Sequence, residues 1–199
     1  MFKRIYFAFL SLSVLMFVSS LHAQNVYSVQ QPKVEKMTGS KIVKFVTNLG
    51  SFTVELDPEA APVTVANFLQ YVDSGYYNGT IFHRVIGNFM VQGGGFDENM
   101  TKKPTNPPIV LEVNRGLSNL RGTIAMARTG DPDSATSQFF INVVNNVNLD
   151  TLGKGYAVFG KVIEGMDTID VIKSVQTTNK GPHANVPVSP VIIQSAKRL

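Results

Sequence analysis

Arg84 lies in the apolar run Phe82-His83-Arg84-Val85-Ile86, and Phe89, Met90 and Gln92 follow close behind it. An extended strand alternates its faces with period two, so Phe82, Arg84 and Ile86 are expected on one side. A cation on that apolar side requires a partner or a task. Gln92 is the expected partner: its amide oxygen can brace a guanidinium while Phe89 and Met90 supply an apolar wall. A braced cation beside such a wall suits the twisting of an amide, because rotation about the C–N bond returns a lone pair to nitrogen that a fixed donor stabilises. The competing reading of Arg84 is an edge-strand side chain lying over apolar neighbours with its head in water.

Three downstream blocks decide between these readings: Gly122-Thr123-Ile124-Ala125-Met126-Ala127-Arg128, Ser137-Gln138-Phe139-Phe140-Ile141-Asn142 and Tyr156-Ala157-Val158-Phe159-Gly160-Lys161-Val162. With them, from about residue 42 to the C-terminus, the chain resembles the cyclophilin family of peptidyl-prolyl cis-trans isomerases, and within it the periplasmic cyclophilins of Gram-negative bacteria. The resemblance implies that Arg84 is the catalytic cation and that Gln92 positions it. It places Phe89, Met90, Phe140 and Leu149 in a proline pocket, and Gln138, Ala127 and the backbone at Arg128 in the groove that binds the substrate chain. Tyr156 joins the substrate-binding set where the better-known eukaryotic pattern has His. Asn148 stands where that pattern has Trp, a principal contact of cyclosporin A, so only weak cyclosporin binding is expected.

The implied partners are proline-containing, unfolded or extended polypeptides, with no cofactor, no metal and a monomeric protein. The rival from another functional class is a binding module: a cyclophilin-like barrel that holds proline segments as a chaperone, with catalysis incidental.

The elements that must position these residues are short. Residues 42–47 and 52–56 both alternate and are joined by Asn48-Leu49-Gly50, which predicts a hairpin. Pro58 and Pro62 are expected to close the second strand. Val65, Phe68, Leu69 and Val72 then recur at helical spacing before Ser74-Gly75, which predicts a helix with a glycine stop. Strand-like runs follow at 80–86, 89–92, 122–127, 138–143, 157–162 and 191–195, and Asp167 is expected to cap a second helix running to about Val175. Eight short strands and two helices suggest a closed barrel with plugged ends, although pattern alone does not separate it from a sandwich. The resemblance implies the mainly β version: a closed eight-stranded antiparallel barrel capped by two α-helices.

The chain has 199 residues, 44% of them hydrophobic, which suits one domain with a substantial core, expected over 41–199. Ahead of it, Lys3 and Arg4 precede an apolar run over 5–18 and Ala23 ends a small-residue site, the pattern of a secretory signal peptide over 1–23. That run is too short for a stable membrane anchor across ~30 Å of hydrocarbon. Residues 24–40 are polar and aperiodic and read as a flexible arm. The expected location is the periplasm, or the medium where there is no outer membrane. Cleavage removes Lys3 and Arg4 and no acid, so the net charge falls from +4 to +2. Without clustered Lys and Arg, nucleic-acid binding is not expected, and Lys102-Lys103 and Lys197-Arg198 read as solvated surface. The absence of cysteine excludes thiol chemistry, disulfides and a lipidated-cysteine anchor.

Other chemistries fall away on composition. The run from Gly155 to Lys161 has phosphate-loop spacing, but Val162 stands where a hydroxyl is needed and the interior is strand material. Gly93-Gly94-Gly95 precedes no helix, so it is no dinucleotide fingerprint. Of three histidines, His22 leaves with the leader, while His83 and His183 lack ligand spacing. His83 is expected on the opposite side of its strand from Arg84, as a structural histidine hydrogen-bonded in or near the core. Asp131-Pro132-Asp133-Ser134 and the Asn-rich run 145–150 imitate calcium loops incompletely and read as polar turns.

Overall fold

The computed structural model describes residues 40–113 and 115–199; the expected leader and nearly all of the expected arm lie outside the described residues. Alternation sets the first hairpin. In β1 (Ile42–Thr47) Val43 and Phe45 are buried while Lys44 is exposed, and in β2 (Gly50–Leu56) Phe52, Val54 and Leu56 are buried. Phe45 and Phe52 face each other across the ladder with rings stacked 4.8 Å apart.

Helix α1 (Pro62–Asp73) buries Val65, Phe68, Leu69 and Val72, the residues of the 3.6-period stripe. Pro62 opens this helix and does not close the preceding strand, because the first turn has no use for its missing N–H. The free N–H groups of Val63 and Thr64 donate instead to the buried Glu112 carboxylate, at 3.3 and 2.8 Å. The remaining elements are β3 (Thr80–Ile86), β4 (Met90–Asp97), β5 (Thr123–Met126), β6 (Phe139–Asn142), β7 (Val158–Glu164), α2 (Met166–Lys173), β8 (Thr177–Lys180), β9 (His183–Pro187) and β10 (Ile193–Arg198).

Eight strands form one antiparallel sheet in the order β10-β1-β2-β7-β5-β6-β4-β3. Its edges meet: Gly79 N donates to Ile193 O at 2.8 Å and Phe82 N to Val191 O at 2.9 Å, so the sheet curls into a nearly closed barrel. The interior is aromatic, with Phe45, Phe52, Phe68, Tyr77, Phe82, Phe139 and Phe159 fully buried. Both helices add side chains to that core, α2 through Ile169 and Ile172. No helix among the described residues is long and apolar enough to cross a membrane.

The structure departs from expectation in other places too. Helix α2 starts after Gly165, whose φ of 78° turns the chain, and Asp167 sits inside the first turn without capping it; there its charge complements the helix dipole. The hairpin β8–β9 was not expected, because β8 is exposed and polar throughout and has no apolar alternation to read. The two basic pairs are only half solvated: Lys103 lies 4.6 Å over the Tyr76 ring and donates to its carbonyl, and Arg198 pairs with Asp73.

Candidate active site

Strand β3 carries a bulge. Phe82 pairs with Gly93 and Arg84 with Gln92, so two steps on β3 oppose one on β4. Phe82 and Val85 therefore both join the barrel core, and Arg84 and Ile86 are turned away from it. The expectation that Phe82 and Arg84 share a side fails for this reason: His83 is the extra residue, and strict period two does not survive it.

From Arg84 a single row of facing residues runs across five strands: Arg84 opposite Gln92, Gln92 opposite Phe140, Phe140 opposite Ala125, and Ala125 opposite Val158. Cross-strand partners share a face, so this row lies on the outside of the barrel. At its polar end Arg84 Nη1 donates to Gln92 Oε1 over 3.4 Å, and Gln92 Nε2 donates to Gln138 Oε1 over 3.0 Å. Gly95 makes the second contact possible: a Cβ there would lie 2.5 Å from the Gln138 side chain, which rests on the β4 backbone. At its apolar end Met90, Ala125, Phe140, Leu149 and Val158 form a buried cluster separate from the main core, joined by Ile86, Phe89, Ala127 and Tyr156. A second hydrophobic cluster outside the barrel is a recess for an apolar ligand group.

All ten residues expected from sequence meet here. Arg128 contributes more than its backbone: its guanidinium lies 4.4 Å over the Tyr156 ring and donates from Nε to Gly155 O at 3.1 Å and from Nη2 to Gly155 O at 2.8 Å and to Gly153 O. Tyr156 in turn meets Phe140 edge-on, with ring centroids 5.8 Å apart. Ala125, Val158 and Ile86 also belong to the recess and were missed, although Ala125 lies two residues from Ala127 and so shares its face.

Beside the recess lies a buried polar network, of which the sequence offered only the run 145–150, read as polar turns. Asn119 and Asn142 are fully buried and Asn146 nearly so. Asp150 accepts from Ser118 Oγ, from Asn119 N at 2.8 Å and from Asn119 Nδ2 at 2.8 Å. Burial pulls the Asp150 carboxyl upward, but these hydrogen bonds outweigh it and hold it below its ordinary value.

His83 is neither outward nor hydrogen-bonded at Nδ1. Its ring is buried 4.7 Å from Phe96, which in turn meets His183 edge-on at 5.2 Å, and Nδ1 has no partner. Burial, then the nearby His183 and Arg84 charges, lower its pKa to about 4, so it is neutral at physiological pH. No group of three or more metal-ligating side chains converges among the described residues.

The outer face of the barrel thus sets a guanidinium braced by a glutamine beside an apolar recess. The family model for cyclophilin type peptidyl-prolyl cis-trans isomerase/CLD matches residues 42–198. The chain is 59% identical to peptidyl-prolyl cis-trans isomerase A of Dickeya dadantii (strain 3937), over 80% of this chain and 85% of that one. To peptidyl-prolyl cis-trans isomerase B of Escherichia coli (strain K12) it is 52% identical, over 77% and 97%. Among solved structures, a cyclophilin type peptidyl-prolyl cis-trans isomerase of Cryptosporidium parvum, crystallised in the presence of the dipeptide Ala-Pro, superposes with a TM-score of 0.70 at 30% identity, covering 79% of this chain and 98% of that one. The chain belongs to the cyclophilin-type peptidyl-prolyl cis-trans isomerase family. It is a peptidyl-prolyl cis-trans isomerase by that membership.

Proposed function

We propose that this isomerase acts on X-Pro bonds in unfolded or extended exported proteins, with the prolyl ring seated among Phe89, Met90, Phe140 and Leu149 and the amide facing Arg84. The observation that carries this reading is the row Arg84–Gln92–Phe140, which sets a braced cation beside an apolar recess on an open face of the barrel. The Ala-Pro dipeptide present with the Cryptosporidium parvum relative supports a proline-sized occupant.

Rotation about an X-Pro bond is slow because it breaks amide resonance, with a barrier of ~18–20 kcal/mol. The twisted amide regains a lone pair on nitrogen. A guanidinium held next to it by Gln92 stabilises that state more than either planar isomer, which is the condition for catalysis. An acceleration of ~10⁵ needs ~7 kcal/mol, and one preorganised donor gives about 3. The apolar wall supplies more by withdrawing the amide from water, since the twisted form is the less polar one. No covalent bond changes, so the scheme calls for no cofactor. Gln138, Ala127 and the Arg128 backbone line the path of the substrate chain, and Tyr156 closes the recess against Phe140.

Export follows from the leader pattern over 1–23 and puts the enzyme among chains that fold after crossing a membrane. The test is a proline-isomerisation assay on the chain from Gln24, wild type against Phe89→Ala, paired with cell fractionation. Activity that needs Phe89 and resides in the periplasmic fraction supports the proposal; cytoplasmic recovery of the full chain contradicts the export half of it.

A further inference from the structure

The recess is built in two ways. Met90, Ala125, Phe140 and Val158 stand on strands, where ladder hydrogen bonds fix them. Phe89, Leu149 and Tyr156 stand on connecting segments, where one ladder bond reaches, from Val143 N to Phe89 O at 3.2 Å. One buried network takes that task for all three. Asn146 Nδ2 donates to Phe89 O at 2.7 Å and to Asn142 Oδ1 at 2.8 Å, and Asn146 O accepts from Leu149 N at 2.8 Å. Asn146 N donates to Asn119 O at 2.7 Å; Asn119 Nδ2 donates to Tyr156 O at 3.3 Å, and Tyr156 N returns to Leu149 O at 2.9 Å. Asn142, which faces Met90 across the β4–β6 ladder, closes the network by donating to Asn119 Oδ1 at 3.1 Å and Thr123 Oγ1 at 2.9 Å.

Three buried amides beside an apolar recess are costly unless fully bonded, and an apolar filling of the same volume would serve stability as well. What apolar groups cannot do is direct backbone carbonyls. We propose that Asn146, held by Asn142 and Asn119, is a positioning residue for the isomerisation: it locks the backbone at Phe89 and Leu149 so that the proline recess is formed before substrate arrives. The inference rests on the reading of Phe89, Leu149 and Tyr156 as walls of the proline pocket. Because Arg84 is placed by β3 and β4, outside this network, the lock acts chiefly on substrate binding and reaches the rotation step only through the apolar wall. A preformed site removes an ordering cost that substrate would otherwise meet.

The test is Asn146→Asp. Its carboxylate faces two acceptors, Phe89 O and Asn142 Oδ1, and can donate to neither; protonated, it donates to one of them again. The only titratable side chain hydrogen-bonded into the network among the described residues is Asp150, which stays ionised above pH 5. At pH 8 the variant should show KM for an Ala-Pro peptide raised about tenfold, the scale of one lost buried hydrogen bond, since Phe89 O keeps only Val143 N, with kcat within about threefold of wild type. As pH falls to 5.5 its KM should return toward the wild-type value, while wild type stays flat. A merely structural asparagine would give no pH-reversible KM. A KM equal to wild type at pH 8, or a loss confined to kcat, overturns the proposal.

Should the variant not fold at pH 8, the wild-type chain decides. In the free protein the Asn146 side-chain NH₂ protons should already exchange slowly with water, and adding an Ala-Pro peptide should change that little; fast exchange in the free protein that slows only with peptide overturns the proposal. Phe89→Ala separates the two readings. A raised KM there with a silent Asn146→Asp removes only the lock, whereas an unchanged KM there removes the pocket itself.

Discussion

Arg84 and Gln92 face each other across the β3–β4 ladder, and the guanidinium donates to the amide oxygen over 3.4 Å. Gln92 passes its own N–H to Gln138, so the orientation of the cation depends on a chain of three side chains. The arrangement exists because His83 is bulged out of register, which sends Phe82 into the core and Arg84 onto the outer face.

Gly95→Ala tests that chain from the side. Its Cβ would strike the Gln138 side chain at 2.5 Å and push it off the β4 backbone, breaking the contact that steadies Gln92. Activity should fall about tenfold, on the scale of one lost buried hydrogen bond, with the fold retained. Turnover equal to wild type in a folded Gly95→Ala protein contradicts the relay.

The pH behaviour follows from His83. Its folded-state pKa, lowered to about 4, lies below the ordinary value of 6.5, so the unfolded chain binds the extra proton first. The stabilisation is complete above pH 6.5 and is lost as pH falls toward 4, on the order of 3 kcal/mol in total. Urea unfolding of wild type at pH 7, 5.5 and 4.5 should show this decline, and His83→Gln should flatten it. Isomerase activity should stay level from pH 6 to 8 in both proteins. A limb near pH 6.5 that disappears in His83→Gln would make this a catalytic histidine.

Asn148 is exposed on the turn that carries Leu149 and offers neither an indole donor nor a large aromatic face. Cyclosporin A should therefore inhibit weakly, and Asn148→Trp should tighten inhibition by about thirtyfold, near 2 kcal/mol. Turnover should change little, since the recess itself is untouched. Equal and tight inhibition of both proteins contradicts this account of the rim.

Much of this molecule was legible in its sequence, for physical reasons that differ by region. Alternation in β1 and β2 and the stripe Val65-Phe68-Leu69-Val72 mark a core-facing side, and the hydrophobic effect enforces it. The bulge at His83 was illegible, because it is a matter of ladder register and leaves no trace in hydrophobicity. Hairpin β8–β9 was illegible because its outer strand buries nothing. Arg84, Gln92, Phe89 and Met90 were legible because a cation and a glutamine are unusual on an apolar strand, whereas Ala127, Arg128, Gln138, Phe140, Leu149 and Tyr156 came from the family resemblance alone. Asn119 went unnoticed, Asn142 was read only as part of a strand, and Asn146 fell within a run taken for polar turns, because only burial separates a lock from a turn.

The central claim is that Arg84 stabilises the twisted amide, and one measurement tests it most directly: the proline-isomerisation rate of the purified chain from Gln24, wild type against Arg84→Ala and Arg84→Lys. Arg84→Ala should lose about 2–4 kcal/mol of transition-state stabilisation while keeping its circular dichroism and unfolding midpoint. Arg84→Lys should be nearly as poor, because an ammonium cannot reproduce the planar fork that Gln92 holds. Activity of a folded Arg84→Ala protein within twofold of wild type would contradict the account.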